Sequence, residues 1–260
     1  HGRGPAYFAG LFAMLNPFVY SRLIDGQISA IGGLVFLLWG VVYFIKYHDS
    51  FALKELAIAS LFFGIAFSFM LHSIFMILMI GAVFFFLYFP DKEKKLRYLT
   101  NALLALSVLI LVNANWALDQ WFSQGENIHF ITQVINADHF AAFASKAGDS
   151  NIYFNTLSLH GYWGEAEGRY LPSTYFIKNW KVVFMALFLL VALGVFYGLR
   201  EEKLKKNTYV FLTIAVLSAI LSMGIASPEF GFITQWMYDH IPFYRGFRES
   251  QKWSAILLIC

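Results

Sequence analysis

A chain of 260 residues that is 59% apolar and only 13% charged lies far from the roughly 45–50% apolar, about 25% charged composition of a soluble domain. That excludes a water-soluble globule, because too few polar side chains remain to cover its surface. The single cysteine, Cys260, excludes an internal disulfide framework or cysteine metal site, and a net charge of +3 gives no reason to expect a nucleic-acid partner; the expected partner is the lipid bilayer.

Apolar runs occur at about 5 to 20, 28 to 45, 53 to 89, 98 to 117, 182 to 198 and 208 to 225, and a last one starts at Trp253 and stops at Cys260. With His1 rather than Met at the start, that short final run reads as part of a longer protein. The 37 residues from Leu53 to Phe89 would form a helix of about 55 Å, nearly twice a ~30 Å hydrocarbon core. The length predicts two spans that turn near Met70 to Ser73, with His72 as a polar residue of the turn.

Charge supports the division. DKEKKLR at 91 to 97 and REEKLKK at 200 to 206 each carry four basic residues, and Lys and Arg clusters gather on the cytoplasmic side. Splitting 53 to 89 brings Lys46 and Lys54 to that same side. The expected fold is all-α, a polytopic transmembrane bundle of about seven full spans and the beginning of an eighth, in the cytoplasmic membrane. Residues 1–117 would hold five spans, 118–180 a small helical extracytoplasmic domain, and 181–260 the remaining spans with an exported loop at 226–252.

Trp116, Trp121 and Trp180 lie where spans meet the long loop, as interfacial aromatics do. Within that loop, Asp138 is the expected N-cap of a short helix carrying Phe140, Phe143 and Ala144, with Gly148 just past its end. Asp119, Glu126, Asp138, Glu165 and Glu167 are exported carboxylates suited to acid-base work or simply to solubility. Gly32, Gly33 and Gly40 allow close helix packing.

Three exported segments combine aromatic rings with charge: NPFVYSRLIDGQ (16 to 27), NTLSLHGYWGE (155 to 165) and IPFYRGFRESQKW (241 to 253). Guanidinium groups bind phosphate oxygens in bidentate fashion, and aromatic rings pack on sugar or prenyl chain. The competing account is interfacial anchoring by the same residue types. Three such segments on one face predict a shared site, with Arg22, Tyr162, Trp163, Arg248 and Lys252 bordering one cavity.

These motifs, together with the apolar helix before the first and the one after the third, resemble the GT-C type of membrane glycosyltransferase, in particular its arabinofuranosyltransferase-like group. The resemblance implies transfer of a sugar from a polyprenyl-phosphate donor on the extracytoplasmic face. It also implies an acidic catalytic motif, the source of the catalytic base, in a first exported loop upstream of His1, and a divalent metal held mainly by residues outside 1–260; no catalytic residue or metal ligand is assigned within the chain. Candidate substrate-binding residues are Asn16, Arg22, His160, Tyr162, Trp163, Glu165, Arg245, Arg248, Glu249 and Lys252, and the motif matches also take in Gly26 and Gly161. The alternatives are a transporter or flippase, against which the nearly charge-free span interiors argue, and a non-catalytic membrane assembly factor.

Overall fold

The computed structural model describes residues 3–88, 92–122, 137–147, 150–241 and 243–260, and among them all regular secondary structure is helical. Four helices are long and apolar enough to cross a membrane: Ile28–Ser50, Lys95–Asp119, Trp180–Arg200 and Glu202–Ala226. The chain is therefore a helical membrane protein. The other expected spans are shorter: Leu53–Phe69 has 17 residues, at the lower end of the ~17–25 a crossing needs, Ser73–Tyr88 has 16, and the first apolar run is divided into helices of 12 and 8.

The first apolar run is divided. Helix α1 spans Arg3–Met14 and α2 spans Pro17–Ile24. Asn16 makes the break: its side-chain carbonyl accepts from the Val19 amide at 3.0 Å, Pro17 follows at the first helical position, and the Asn16 amide donates back to the Phe12 and Ala13 carbonyls. This is a capped helix start, since proline needs no partner for a missing N–H there. Gly26, at φ +75°, lies just past the end of α2.

The chain forms two compact units, His1–Gln27 with Ala137–Cys260, and Ile28–Asn136. In the second unit, α3 (Ile28–Ser50) and α4 (Leu53–Phe69) pack closely through the glycines expected to do so. A Cβ on Gly40 would lie 2.3 Å from the Phe63 ring, one on Gly32 2.8 Å from Phe69, and one on Gly33 2.8 Å from Met70.

The long run breaks where its length demanded. Met70 leaves helical geometry at φ −142°, and α5 restarts at Ser73–Tyr88, with Leu71 and His72 in the turn. Helix α6, Lys92–Phe122, begins inside the basic segment expected to be a loop; Lys, Glu, Leu and Arg are good helix formers, and charge does not stop them. It is tied to α4 by Asn113, which donates to the Gly64 carbonyl at 3.1 Å and accepts from Ser68 at 2.8 Å.

In the first unit, α7 (Ala137–Ala142) is the short helix expected after Asp138, but Asp138 lies in its first turn instead of capping it. Gly148 and Glu126 lie outside the described residues, as does the side chain of Trp121. Helices α8 (Ile152–Leu157), α9 (Trp163–Ala166) and α10 (Ser173–Phe176) follow. Next come α11 (Trp180–Arg200) and α12 (Glu202–Met223).

Only Glu201 separates α11 from α12, so they form a tight hairpin, closed where a Cβ on Gly198 would meet Thr208 Oγ1 at 2.3 Å. The outer surface of α11 is apolar, with Val182, Met185, Leu189, Leu193 and Phe196 exposed. Lipid is the solvent that makes such a surface favourable. Helices α13 (Gly231–His240) and α14 (Ser254–Ile259) complete the unit. Ser145 Oγ donates to the Ser222 carbonyl at 2.5 Å, and Ser222 Oγ lies 3.0 Å from Ser254 Oγ, so the long loop and the C-terminal segment both pack on the end of α12.

Candidate functional site

Arg22 organises the first unit. It projects from the last turn of α2 and is 0% exposed. An isolated guanidinium cannot be left there, because desolvation costs several kcal/mol without partners. Its Nη1 donates to Gln27 Oε1 at 2.6 Å and to Glu249 Oε2 at 2.8 Å, and its Nη2 donates to Gln251 Oε1. The Tyr162 ring lies 4.1 Å from Cζ, on the face of the cation, and Phe18 lies 5.2 Å away. One motif from each exported segment thus converges on one side chain.

A second layer surrounds this contact. The Tyr162 hydroxyl donates to Asp25 and accepts from Gln27 Nε2 at 2.6 Å, while Asp25 also pairs with Arg169 at 3.6 Å. Burial, reinforced by the hydrogen bond to Asp25, pushes the Tyr162 phenol well above its ordinary value, so it remains a proton donor. Glu249 carries a second cation, Lys252, at 3.7 Å. Burial pushes the Lys252 ammonium down to about 8, against the pull of Glu249 and with the repulsion of Arg22 and Arg248.

Arg248 has no carboxylate within ion-pair distance among the described residues, and it lies instead over the Phe143 ring at 4.2 Å. The neighbouring Glu249 turns to Arg22 and Lys252, not to Arg248. Trp163 is buried between Phe143, at 4.7 Å between ring centres, and the Arg169 guanidinium at 4.1 Å. Arg245 lies over Tyr238 at 5.2 Å.

The expected common cavity takes a different form. A cavity of about 790 Å³ opens in this unit and is lined by Tyr162, His160 and Glu165, but not by Arg22, Trp163, Arg248 or Lys252. Arg22 is fully buried, enclosed by three polar or charged partners and two rings. Asn16 is likewise engaged by backbone, as the cap of α2. His160 is held by a turn in which Leu159 takes φ +64° and Gly161 φ +90°, with the His160 amide donating to the Asn155 carbonyl at 2.7 Å. A Cβ on Gly161 would approach the Lys146 carbonyl to 3.0 Å, so the turn needs glycine for both conformation and space.

The sequence reading missed Asp25, Gln27, Arg169 and Gln251. Three of these stand inside the quoted motifs, where their polarity in an aromatic setting was the available signal; Arg169 lies outside them. Among the described residues no group of three or more His, Cys, Asp or Glu side chains is placed to hold a metal ion, so those residues do not fit a resident divalent cation. Comparison with family models, with curated proteins and with solved structures found no match to this chain.

Proposed function

We propose that this chain belongs to an integral membrane glycosyltransferase of the GT-C type, which takes a sugar from a polyprenyl-phosphate donor on the extracytoplasmic face of the cell membrane. The observation that carries the reading is a shortage of negative charge. Arg22 and Lys252 share one carboxylate, Glu249, and Arg248, close enough to repel Lys252, lies over an aromatic ring without an ion-pair partner among the described residues. A phosphate with two or more free oxygens would answer that shortage, and the nearby Phe143 and Trp163 suit a prenyl or sugar face.

In this reading Arg22 and Tyr162 hold the frame, while Arg248 and Lys252 meet the ligand. The departing lipid phosphate would be stabilised by those two cations as charge develops on its oxygen. The membrane arrangement belonging to the reading has seven crossings and the start of an eighth, with α1 and α2 together making the first and α4 and α5 the third and fourth.

The test is binding of a short-chain polyprenyl monophosphate to the full chain in nanodiscs. Charge-assisted hydrogen bonds contribute about 1.5–3 kcal/mol each, so Arg248→Gln and Lys252→Gln should each weaken binding roughly 10- to 100-fold at constant ionic strength. Binding that is unaffected in the double variant, or equally strong for a neutral polyprenol, rules the proposal out.

A further inference from the structure

The cavity beside the Arg22 cluster holds chemistry that the lipid-phosphate reading does not use. His160 is buried at the cavity wall. Its Nδ1 lies 3.5 Å from Glu165 Oε2, and its Nε2 lies 3.4 Å from Ser173 Oγ. An imidazole held between a carboxylate and a hydroxyl has its tautomer set by the carboxylate: Nδ1 keeps its hydrogen and Nε2 is free to take one. Nucleophile, base and orienting acid therefore stand in the order that activates a serine.

The surroundings fit that chemistry. Ser173 is half-buried between Pro172 and Thr174, both of which line the cavity. Trp180 lines it too, edge-on to His160 with ring centres 5.2 Å apart at 79°, and its indole N–H is buried with no acceptor among the described residues. A buried donor without a partner is uncommon and costs about 1–3 kcal/mol. The two histidine contacts are longer than the ~2.6–3.2 Å of a closed catalytic hydrogen bond, as is common in sites without substrate.

We propose that Ser173, His160 and Glu165 form a nucleophilic triad that transfers an acyl group from a carboxylic ester of a polyol bound in this cavity. Ser173 Oγ adds to the ester carbonyl carbon while its proton passes to His160 Nε2, and the carbonyl π pair moves onto oxygen. Collapse of that intermediate breaks the bond to the alcohol oxygen, which leaves with the proton from His160, and the acyl group remains on Ser173. A water or second hydroxyl then attacks the acyl-serine with His160 again taking the proton; Ser173 recovers it as the carboxylic acid or new ester departs. No oxidant or metal is required. Glu165 is a positioning residue, and Asn179 and Thr174, which also line the cavity, suit a polyhydroxylated alcohol.

The proposal does not rest on the glycosyltransferase reading, and Ser173→Ala should leave polyprenyl-phosphate binding unchanged. Its test is reaction of the full chain in detergent with a fluorophosphonate probe, with the modified peptide identified by mass spectrometry. Labelling is expected at Ser173, absent in Ser173→Ala, and slowed about 100-fold or more in His160→Gln, the scale of a lost general base. Glu165→Gln should slow it less and alter its pH profile. Ser173→Ala, at a half-buried hydroxyl, provides the folded control, checked by an unchanged thermal unfolding midpoint. Absence of label on Ser173 in the folded protein, or an equal rate in a folded His160→Gln protein, overturns the proposal.

Discussion

Lys252 shares the Glu249 carboxylate with Arg22 and feels the repulsion of Arg248. Burial pushes its ammonium from 10.5 down to about 8, whereas the unfolded chain restores the ordinary value. Between those two pH values the unfolded state binds more protons than the folded one, so unfolding free energy rises with pH across that window. Below it both states carry the charge and the folded protein bears the full cost; above it neither does. The whole shift corresponds to on the order of 3 kcal/mol. Thermal unfolding in detergent should therefore show the wild-type midpoint gaining on that of Lys252→Met as pH increases from 8 to 10.5, and parallel curves would contradict the assigned cause. The aromatic and charged character of this region was legible in the three motifs. Which charges pair was not, because Glu249 has Arg248 and Lys252 as sequence neighbours and yet spends its shortest contact on Arg22, 227 residues away.

At the scale of the helix, the glycines separate positions where a side chain is forbidden from positions where it is only absent. Gly40 of α3 faces Phe63 so closely that a Cβ would lie 2.3 Å from the ring, whereas a Cβ on Gly194 of α11 would meet nothing within 4 Å. Gly40→Ala should destabilise by about 1–3 kcal/mol, the usual cost of overpacking. Gly194→Ala should be neutral or stabilising, because alanine is favoured over glycine within a helix by up to ~1 kcal/mol. Unfolding midpoints of the two variants in the same detergent make the comparison, and equal loss in both would mean that α3 and α4 do not pack as described. Helix lengths were readable where a physical limit applied: no bilayer accommodates one helix from Leu53 to Phe89, and the break came at Met70. The division of the first run was also written in the chain, since Asn16–Pro17 is a cap followed by proline at the first helical position, yet apolar continuity across it suggested a single span. The start of α6 was hidden for the opposite reason, because a dense run of charge reads as loop even when every residue in it favours a helix.

For the molecule as a whole, the hairpin of α11 and α12 sets the sidedness of both candidate sites. If each helix crosses the bilayer, the single-residue connection at Glu201 makes them antiparallel, so Trp180 at the start of α11 and Gly224 at the end of α12 emerge on the same side. The hydrogen bonds from Ser145 to Ser222 and between Ser222 and Ser254 hold the long loop and the C-terminal segment at that end. The His160 cavity and the Arg22 cluster then share one face, and the basic residues from Arg200 to Lys206 lie on the other. Lys and Arg clusters mark the cytoplasmic face, which makes the face with both sites extracytoplasmic, as a lipid-linked sugar donor would require. In a background where Cys260 is replaced by serine, a cysteine at the half-exposed Glu167 should react with an impermeant thiol reagent in intact cells. Cysteines at the exposed Lys203 and at Arg97 should react only after the membrane is opened. Labelling of Lys203→Cys from outside, with protection of Glu167→Cys, would invert the protein and place both sites in the cytoplasm, where an extracytoplasmic polyprenyl-phosphate donor could not reach them. Agreement at Glu167 and Lys203 with external labelling at Arg97 would preserve the orientation of the hairpin and both sites, and would instead remove the crossing assigned to α6, between Arg97 and Trp180.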